Sequence, residues 1–293
     1  MFSPEKEFSL WNLTGFAGNP AQLFKTIEST HTYMKVQAAS GAIQPGALVV
    51  ADSQSAGRGR HERTWASPEG KNLYFNILIP LDGIPLNTTP QITQVAALTF
   101  AEIFQSLQDL GEPRGDDQHE LKKTASQAVQ RVTVKWPNDI LFGRSKFCGI
   151  LAEIVFQQGK PAFNLGVGIN VNSDPQDYAF LGREVTTLKA IAGHAINREK
   201  LLQALIGHLE RAIGQFKAFG ISPWVAAWKK MDQFIGARGT IVANNRCTDE
   251  NRNNGEGSIK KSGRILDMQP DGSLLFQTDD GEVQTVYSAD LEI

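Results

Sequence analysis

The chain has 293 residues, of which 41% are hydrophobic and 20% charged, and 29 basic residues against 31 acidic ones give a net charge of −2. This ordinary composition excludes a mainly disordered, collagen-like or coiled-coil chain, and the near-neutral charge argues against a nucleic-acid or membrane-surface binder. Two cysteines, Cys148 and Cys247, cannot build a disulfide framework. The amino terminus lacks the apolar core of a secretion signal, and no run approaches the ~18 apolar residues of a membrane span. The chain is therefore predicted to be soluble and cytoplasmic.

The first half of the chain predicts alternating helices and strands. Residues 1–22 are interpreted as a short arm, too small to be a stable domain alone. Ser29 or Thr30 can cap a helix. Apolar runs predict strands at 46–51 and 72–80. A long helix is then expected from Thr89–Pro90, with its apolar residues at helical spacing, to Gly111.

The second half of the chain predicts more strands, two helices and then a series of short strands joined by tight turns. Residues 111–130 are interpreted as an exposed insertion without an assignable role, and strands are predicted at 131–136, 146–156 and 162–171. Helices are expected to begin at Asn197 and at Ser222–Pro223, ending near residues 220 and 236. Short strands at 239–243, 258–268, 273–278 and 282–287 follow, with hairpin turns at 271–272 and 280–281 and an exposed loop at 244–257. The expected fold is α+β, with a domain over residues 1–235 and a small β module over 236–293.

An arginine- and glycine-rich stretch between two predicted strands is the most unusual part of the sequence. Residues 57–70 place Arg58, Arg60 and Arg63 close to Gly57 and Trp65. Glycine lets backbone N–H groups approach an anion, arginine provides forked donors for phosphate or carboxylate, and tryptophan offers a face for a base. The alternative is a solvated basic loop. Its position at a sheet end favours a ligand-binding loop.

A second stretch, Lys-Trp-Pro-Asn-Asp at 135–139, ends a predicted strand. Pro137 cannot donate to a sheet, so Asn138 and Asp139 are expected to be exposed there, and both side chains carry oxygens that suit Mg²⁺. Lys146 starts the next apolar strand, which contains Gly149, and could direct its charge at a carboxylate or phosphate. The alternative is an ordinary exposed lysine at a strand end.

A third stretch contains Gly166, Gly168 and Asn170 in an apolar strand. Such glycines weaken a strand unless something approaches it closely. The stretch is not a dinucleotide fingerprint, and the chain has no G-x-x-x-x-G-K-[ST] phosphate loop, so any use of ATP would need another architecture.

Taken together, these stretches resemble the biotin–protein ligases. The motifs, in chain order, are G-R-G-R-x-x-R-x-W-x-S-P-x-G-x-N-L-Y-F, K-W-P-N-D, K-x-x-G-I-L and G-x-G-I-N-V-N. The match runs from Ser29 to Asn172 and continues more weakly into the tail. The resemblance implies a mixed-sheet catalytic domain like that of class II aminoacyl-tRNA synthetases and biotin ligases, followed by an SH3-like β-barrel.

The resemblance also implies the reaction and its participants. Such enzymes form biotinoyl-5′-AMP from biotin and ATP with Mg²⁺, then transfer biotin to a lysine of the biotin carboxyl carrier protein of a carboxylase. A loop such as 57–71 is expected to be mobile when empty and to close over the adenylate, which water would otherwise destroy.

Site residues carry over by position in the motifs. The implied catalytic residues are Lys146, Arg58 and Arg60. Biotin contacts fall on Ser29, Thr30, Gln54, Gly57, Arg58, Lys146, Gly149, Gly166 and Gly168. ATP contacts fall on Arg60, Arg63, Trp65, Lys135, Asn138, Lys146 and Asn170, with Asn138 also the Mg²⁺ ligand. Asp139 is left open between a general base for the transfer step and a cap of the turn after Pro137.

Several alternatives stay open. A lipoate–protein ligase shares the adenylation logic, and a non-catalytic biotin-binding regulatory module is a rival of another class. About 25 residues before Ser29 leave no room for a DNA-binding domain, so the monofunctional type is expected. His31 stands where the family often has Asn. A homodimer is possible, and neither nucleic acid nor membrane is an expected partner.

Overall fold

The computed structural model describes residues 7–60, 63–111, 131–244, 258–287 and 289–293. The predicted insertion at 111–130 and the loop at 244–257 lie almost entirely outside these ranges, as does Cys247. Within the described ranges, no helix combines the length and apolar character that a membrane span requires. A cytoplasmic location stays a prediction.

A seven-stranded mixed sheet organises the larger part of the molecule. Its strands are β1 Gln22–Ile27, β2 Leu48–Gln54, β3 Leu73–Pro80, β4 Val132–Lys135, β5 Asp139–Phe142, β6 Ser145–Gln157 and β7 Lys160–Ile169. They lie in the order β1-β2-β3-β7-β6-β5-β4. β1 and β2 are parallel, and the remaining neighbours are antiparallel.

Side chains alternate between the two faces of this sheet, as the pleat requires. On β3, Phe75, Ile77 and Ile79 enter the main core, which also contains the apolar stripes of the long helices. The next residues along, including Leu78, face the other side, where a smaller apolar cluster packs under the first helix. The helices are α1 Thr30–Ala39, α2 Thr89–Gly111, α3 Leu188–Ala192, α4 Arg198–Phe219 and α5 Ser222–Met231.

The predicted helix starts are confirmed where a side chain caps the first turn. Ser29 Oγ accepts from the backbone N–H of Thr32 at 3.4 Å, and Asn197 Oδ1 accepts from that of Lys200 at 3.0 Å. The α5 helix is shorter than predicted and ends at Met231, since the backbone of Asp232 is extended, with ψ 121°. The carboxylate of Asp232 accepts from the backbone N–H of Phe234 at 2.7 Å.

The amino-terminal arm is part of the core, which composition did not indicate. Phe8, Trp11 and Phe16 are buried in the main apolar cluster. Arg198 lies 5.0 Å from the ring centroid of Trp11 and forms a buried ion pair with Asp52 at 2.8 Å. Burial raises the pKa of Asp52, but the hydrogen bonds from Arg198 and Lys25 outweigh it and lower the pKa. The strands β1 and β5 were also missed, since both are short and only partly buried.

The tail forms a separate five-stranded antiparallel sheet. Its strands are β8 Arg238–Asn244, β9 Ser258–Met268, β10 Leu274–Thr278, β11 Val283–Val286 and β12 Asp290–Glu292, in the order β11-β10-β9-β8-β12. Gly272 and Gly281 have φ values of 80° and 93°, as the predicted hairpin turns require. The α+β fold class with a small carboxy-terminal β module is therefore confirmed. The Trp136 indole donates to the carbonyl of Gly272 at 3.1 Å, so the two sheets are in contact, and a domain boundary at 236 stays a prediction.

Candidate active site

A cavity of about 540 Å³ opens on the α1 face of the large sheet. The amino terminus of α1, the ends of β2 and β6, the arginine-rich loop and the carboxy-terminal strand β12 surround it. Most of the residues singled out by sequence line this one space: Ser29, Thr30, Gln54, Arg58, Arg60, Arg63, Trp65, Lys135, Asn138, Lys146, Gly149, Gly166 and Gly168. Residues more than a hundred positions apart in the chain therefore converge here.

One end of the cavity, here called the inner end, is lined by Ser29, Thr30, His31, Gln54 and Asn76, and its side chains are tightly hydrogen-bonded. Gln54 Oε1 accepts from both the backbone N–H and the hydroxyl of Thr30, at 2.9 and 3.1 Å. The amide nitrogen of Gln54 donates to Ser67 Oγ at 2.9 Å, which ties the inner end to the loop. Because each of these groups is held by another, their positions are set before a ligand arrives.

Two inner-end residues, Asn76 and Asn164, were not recognised from the sequence, and His31 was noted only as a departure from the family at a biotin contact. His31 and Asn76 line the cavity and Asn164 supports them from the neighbouring strand. Asn76 Nδ2 lies 2.7 Å from Asn164 Oδ1 and 3.0 Å from His31 Nδ1. The available signal was an asparagine inside each of two apolar strands, because a buried amide needs partners and so indicates a polar site.

The floor of the cavity is bare backbone at three glycines. Gly168 pairs with Gly149 across β7 and β6, and Gly166 lies two residues away on the same face. A Cβ on Gly168 would lie 2.4 Å from the Trp65 ring, and one on Gly149 would lie 2.9 Å from it. The Trp65 indole therefore packs directly on the backbone, in space that a side chain at either position would fill.

Two predicted residues lie outside the cavity wall. Gly57 acts through its backbone: its carbonyl accepts from the N–H of Trp65 at 2.8 Å, and a Cβ there would lie 2.5 Å from the Trp65 carbonyl oxygen. Asn170 is buried, lines a smaller neighbouring cavity and donates to the carbonyl of Thr186 at 3.4 Å. Its predicted contact with ATP gains no support from this placement.

The outer end of the cavity is ionic. Lys146 Nζ lies 2.6 Å from Asp139 Oδ1 and 5.4 Å from the centroid of the Trp65 ring. Lys135 lies nearby, and burial lowers its pKa. Five arginines and two lysines line this cavity against four acids, so the outer end favours an anionic ligand.

The arginine-rich loop is bonded to the small sheet. Arg60 lies 3.2 Å from Asp290 and donates to the carbonyl of Ala289 at 3.3 Å, while Arg63 lies 3.2 Å from the other Asp290 oxygen. Residues 61 and 62 lie outside the described ranges. The small sheet thus supplies an anionic partner to the arginines that sequence assigned to phosphate binding.

The expectation that Pro137 exposes Asn138 is wrong. Asn138 is 7% exposed, its Nδ2 donates to the carbonyl of Ile150 and its Oδ1 accepts from Arg60 at 3.3 Å. Asp139 begins β5 and pairs with Lys146, and a backbone bond from Asn138 to Lys135 closes the turn, so Asp139 is not its cap.

The described residues do not fit a protein-held magnesium ion. They contain no group of three or more His, Cys, Asp or Glu side chains that could hold a metal. The Asn138 oxygen faces a guanidinium, which repels a cation. The prediction that Asn138 binds Mg²⁺ therefore gains no support from this geometry.

Comparison with known proteins decides the family. Residues 23–172, about half of the chain, match the model of the Biotin/lipoate A/B protein ligase family. The chain belongs to this family. The matched segment runs from β1 through β7 and contains the inner end, the glycine floor, the arginine-rich loop and Lys146.

Relatives and solved structures agree with this assignment. The chain is 31% identical over 250 residues to the bifunctional ligase/repressor BirA of Bacillus subtilis, covering 85% of this chain and 66% of that protein. It is 28% identical over 211 residues to the biotin–[acetyl-CoA-carboxylase] ligase of Mycobacterium tuberculosis, covering 72% and 70%. The fold matches that of the Aquifex aeolicus biotin protein ligase solved with biotin and ATP, with a TM-score of 0.69, 23% identity, and coverage of 93% and 97%.

Proposed function

We propose that the protein is an ATP-dependent biotin–protein ligase. It joins biotin to ATP, giving biotinoyl-5′-AMP and pyrophosphate, and then transfers the biotinoyl group to a lysine of a biotin carboxyl carrier protein. The observation that carries the proposal is one cavity whose neutral inner end and cationic outer end meet at Lys146 and the glycine floor. The names of the relatives support biotin as the substrate and a carboxylase as the source of the acceptor.

Biotin suits the inner end because its ureido ring is neutral and polar. Ser29, Thr30 and Gln54 present fixed hydrogen-bonding groups beside Gly166, where no side chain fills the floor. The valeryl arm then runs over Gly168 and Gly149 towards Lys146, after the Trp65 indole that packs on these two glycines moves aside, and carries its carboxylate to the ionic end. Glycine is needed along this route because a Cβ would enter the space that the arm crosses.

The first step requires two anions to meet. A biotin carboxylate oxygen attacks the α-phosphorus of ATP, the bond to the bridging oxygen breaks, and pyrophosphate leaves. In this proposal Lys146 neutralises the carboxylate and the α-phosphate oxygens, after its ammonium exchanges the Asp139 carboxylate for the substrates. Arg58, Arg60, Arg63 and Lys135 supply positive charge for the polyphosphate, and Trp65 a face for the adenine. Preorganised charge of this kind lowers the barrier by stabilising the transition state.

The second step transfers the acyl group. The acceptor amine attacks the acyl carbonyl, AMP leaves, and the amine gives up a proton. Asp139 is engaged with Lys146, so we assign it the role of holding that ammonium and assign no general base among the side chains. Closure of the loop at 57–71 would protect the mixed anhydride from water. Mg²⁺ accompanies ATP as a partner of its phosphates.

The experiment supplies the purified chain with biotin, ATP and Mg²⁺, and measures pyrophosphate release and biotin incorporation into a carrier domain. Release and incorporation that depend on both substrates are expected. Lipoate in place of biotin is the comparison, and a carrier domain whose target lysine is changed to Arg is the control for transfer. Pyrophosphate release with lipoate but not with biotin would make the chain a lipoate ligase, and absence of release with either would contradict the proposal.

A further inference from the structure

A buried side-chain oxygen at the inner end of the cavity lacks a protein donor. Asn76 is 1% exposed and lines the cavity. Its Nδ2 contacts Asn164 Oδ1 at 2.7 Å and His31 Nδ1 at 3.0 Å, but no described residue donates to its Oδ1. Buried amide oxygens are normally hydrogen-bonded, so an unpartnered one in a cavity wall indicates where a ligand donor is expected.

The surrounding hydrogen bonds fix which way this amide points. The backbone carbonyl of His31 can only accept, so the amide atom of Asn164 that lies 3.1 Å from it must be Nδ2. Asn164 Oδ1 therefore faces Asn76, and the Asn76 atom 2.7 Å away must be Nδ2. Turning the Asn76 amide over would place two oxygens against each other, so its Oδ1 keeps its position.

The imidazole of His31 completes the arrangement. Since Asn76 Nδ2 donates to Nδ1, the hydrogen of the neutral ring lies on Nε2, which is 3.0 Å from Glu153 Oε1. Lys35 also lies 2.7 Å from Glu153. Partial burial raises the pKa of Glu153, but the hydrogen bonds from His31 and Lys35 outweigh it and lower the pKa to about 2. The carboxylate is thus ionised at neutral pH, and its Oε1 lies beside the ring nitrogen Nε2.

Gly166 provides the space in front of the amide. It pairs with Asn76 across β7 and β3, and a Cβ on Gly166 would lie 2.8 Å from Asn76 Nδ2 and 3.1 Å from Oδ1. The Asn76 amide therefore lies against bare backbone, at the end of the cavity that Ser29 and Thr30 also line.

We infer that Asn76 Oδ1 accepts a hydrogen bond from a ureido N–H of biotin, and that His31 and Asn164 are positioning residues for that oxygen. The inference rests on the proposed function and extends it to specificity. The ureido ring carries N–H donors, whereas the dithiolane ring of lipoate carries none and leaves the Asn76 oxygen unpaired. Sites built to bond an N–H reject analogues that lack it, because the buried partner stays unsatisfied.

The test compares biotin with its two analogues in which one ureido N–H is replaced by CH₂, by calorimetric titration of the full chain. The wild type is expected to bind one of the analogues about 10- to 100-fold more weakly than biotin. In Asn76→Ala the same analogue and biotin should bind within about threefold of each other, since the acceptor is gone. His31→Ala should reduce the ratio as well, because the amide loses its orientation.

Asn72→Ala is the matched control. Asn72 is another buried asparagine near Asn76, but its side chain is fully bonded to Tyr74, Tyr178, Val171 and Ser173, and it is absent from the cavity wall. This variant should keep the wild-type ratio even if the protein is less stable.

Equal binding of biotin and both analogues by the wild type would overturn the inference, and so would an unchanged ratio in Asn76→Ala. Failure of the wild type to bind biotin at all would instead contradict the proposed function. If Asn76→Ala does not fold, ¹⁵N-labelled biotin bound to the wild type provides the second measurement. A downfield shift of one ureido proton on binding supports the inference, and two unshifted protons overturn it.

Discussion

The inner and outer ends of the cavity are built on different physical principles. At the inner end, Thr30 is hydrogen-bonded to Gln54, and Asn76 is hydrogen-bonded to His31 and Asn164. At the outer end, charged side chains such as Lys146 are paired with acids that a ligand must displace. The inner end is thus suited to selecting a neutral ring by fixed geometry, while the outer end exchanges one set of charges for another. We therefore expect the inner end to select the substrate and the outer end to carry out the reaction.

The largest effect is expected from removing the charge at the junction of the two ends. Lys146→Ala should lower biotin-dependent pyrophosphate exchange by about 100-fold or more, because the two anions then meet without the ammonium. Lys71→Ala, which removes an exposed lysine paired with Asp177, is the control. Rapid exchange by folded Lys146→Ala would remove the main catalytic assignment.

A smaller effect is expected from filling the floor at the inner end. A Cβ on Gly166 would lie 2.8 Å from Asn76 and 2.9 Å from His31, so Gly166→Ala should weaken biotin binding by about tenfold. ATP affinity should stay near that of the wild type, since the outer end is untouched. Calorimetry with each ligand measures both, and Gly214→Ala, where nothing lies within 4 Å of the added Cβ, is the control. Equal loss of both affinities would contradict the separation of the two ends.

Loosening the contacts of the arginine-rich loop at the outer end should release biotinoyl-5′-AMP from the cavity. Arg60 bonds to Asp290, Asn138 and Ala289, and Arg60→Gly removes all three contacts. We expect a few-fold rise in biotin labelling of bystander lysines, measured by mass spectrometry, because the adenylate then diffuses away. Lys146→Ala gives the background level. Labelling confined to the carrier domain would contradict a retaining role for the loop.

Glu153→Gln is expected to have the smallest effect on turnover. It should instead change how the free energy of unfolding depends on pH in acid. The pKa of Glu153 is about 2, below its ordinary value of 4.5, so its contribution to stability is present above pH 4.5 and lost as the pH falls towards 2. That contribution is at most about 3 kcal/mol. Urea unfolding between pH 7 and pH 2 should show a shallower acid loss in the variant than in the wild type, and parallel curves would refute the assignment.

Much of the site was predictable because its residues lie in short, ordered motifs. Arg58, Arg60 and Trp65 follow β2, Lys135 ends β4 and Lys146 lies at the start of β6, so all of them lie at strand ends that meet at one cavity. Other features depended on distant partners. Asn138 was expected to be exposed, but the carbonyl of Ile150 and the guanidinium of Arg60 occupy its amide. Neither contact can be read from the residues next to Asn138.

The sequence by itself determined the family through its ordered motifs, the α+β class through strand and helix periodicity, and thirteen of the residues that line the cavity, because motifs and periodicity are local properties. Only the tertiary structure decided that the amino-terminal aromatics enter the core, that Asp290 of the small sheet pairs with Arg60 and Arg63, and that Asn76 carries an unpartnered oxygen. Each of these depends on which groups are brought within hydrogen-bonding distance across the fold. That distance is fixed by the packing of the whole chain.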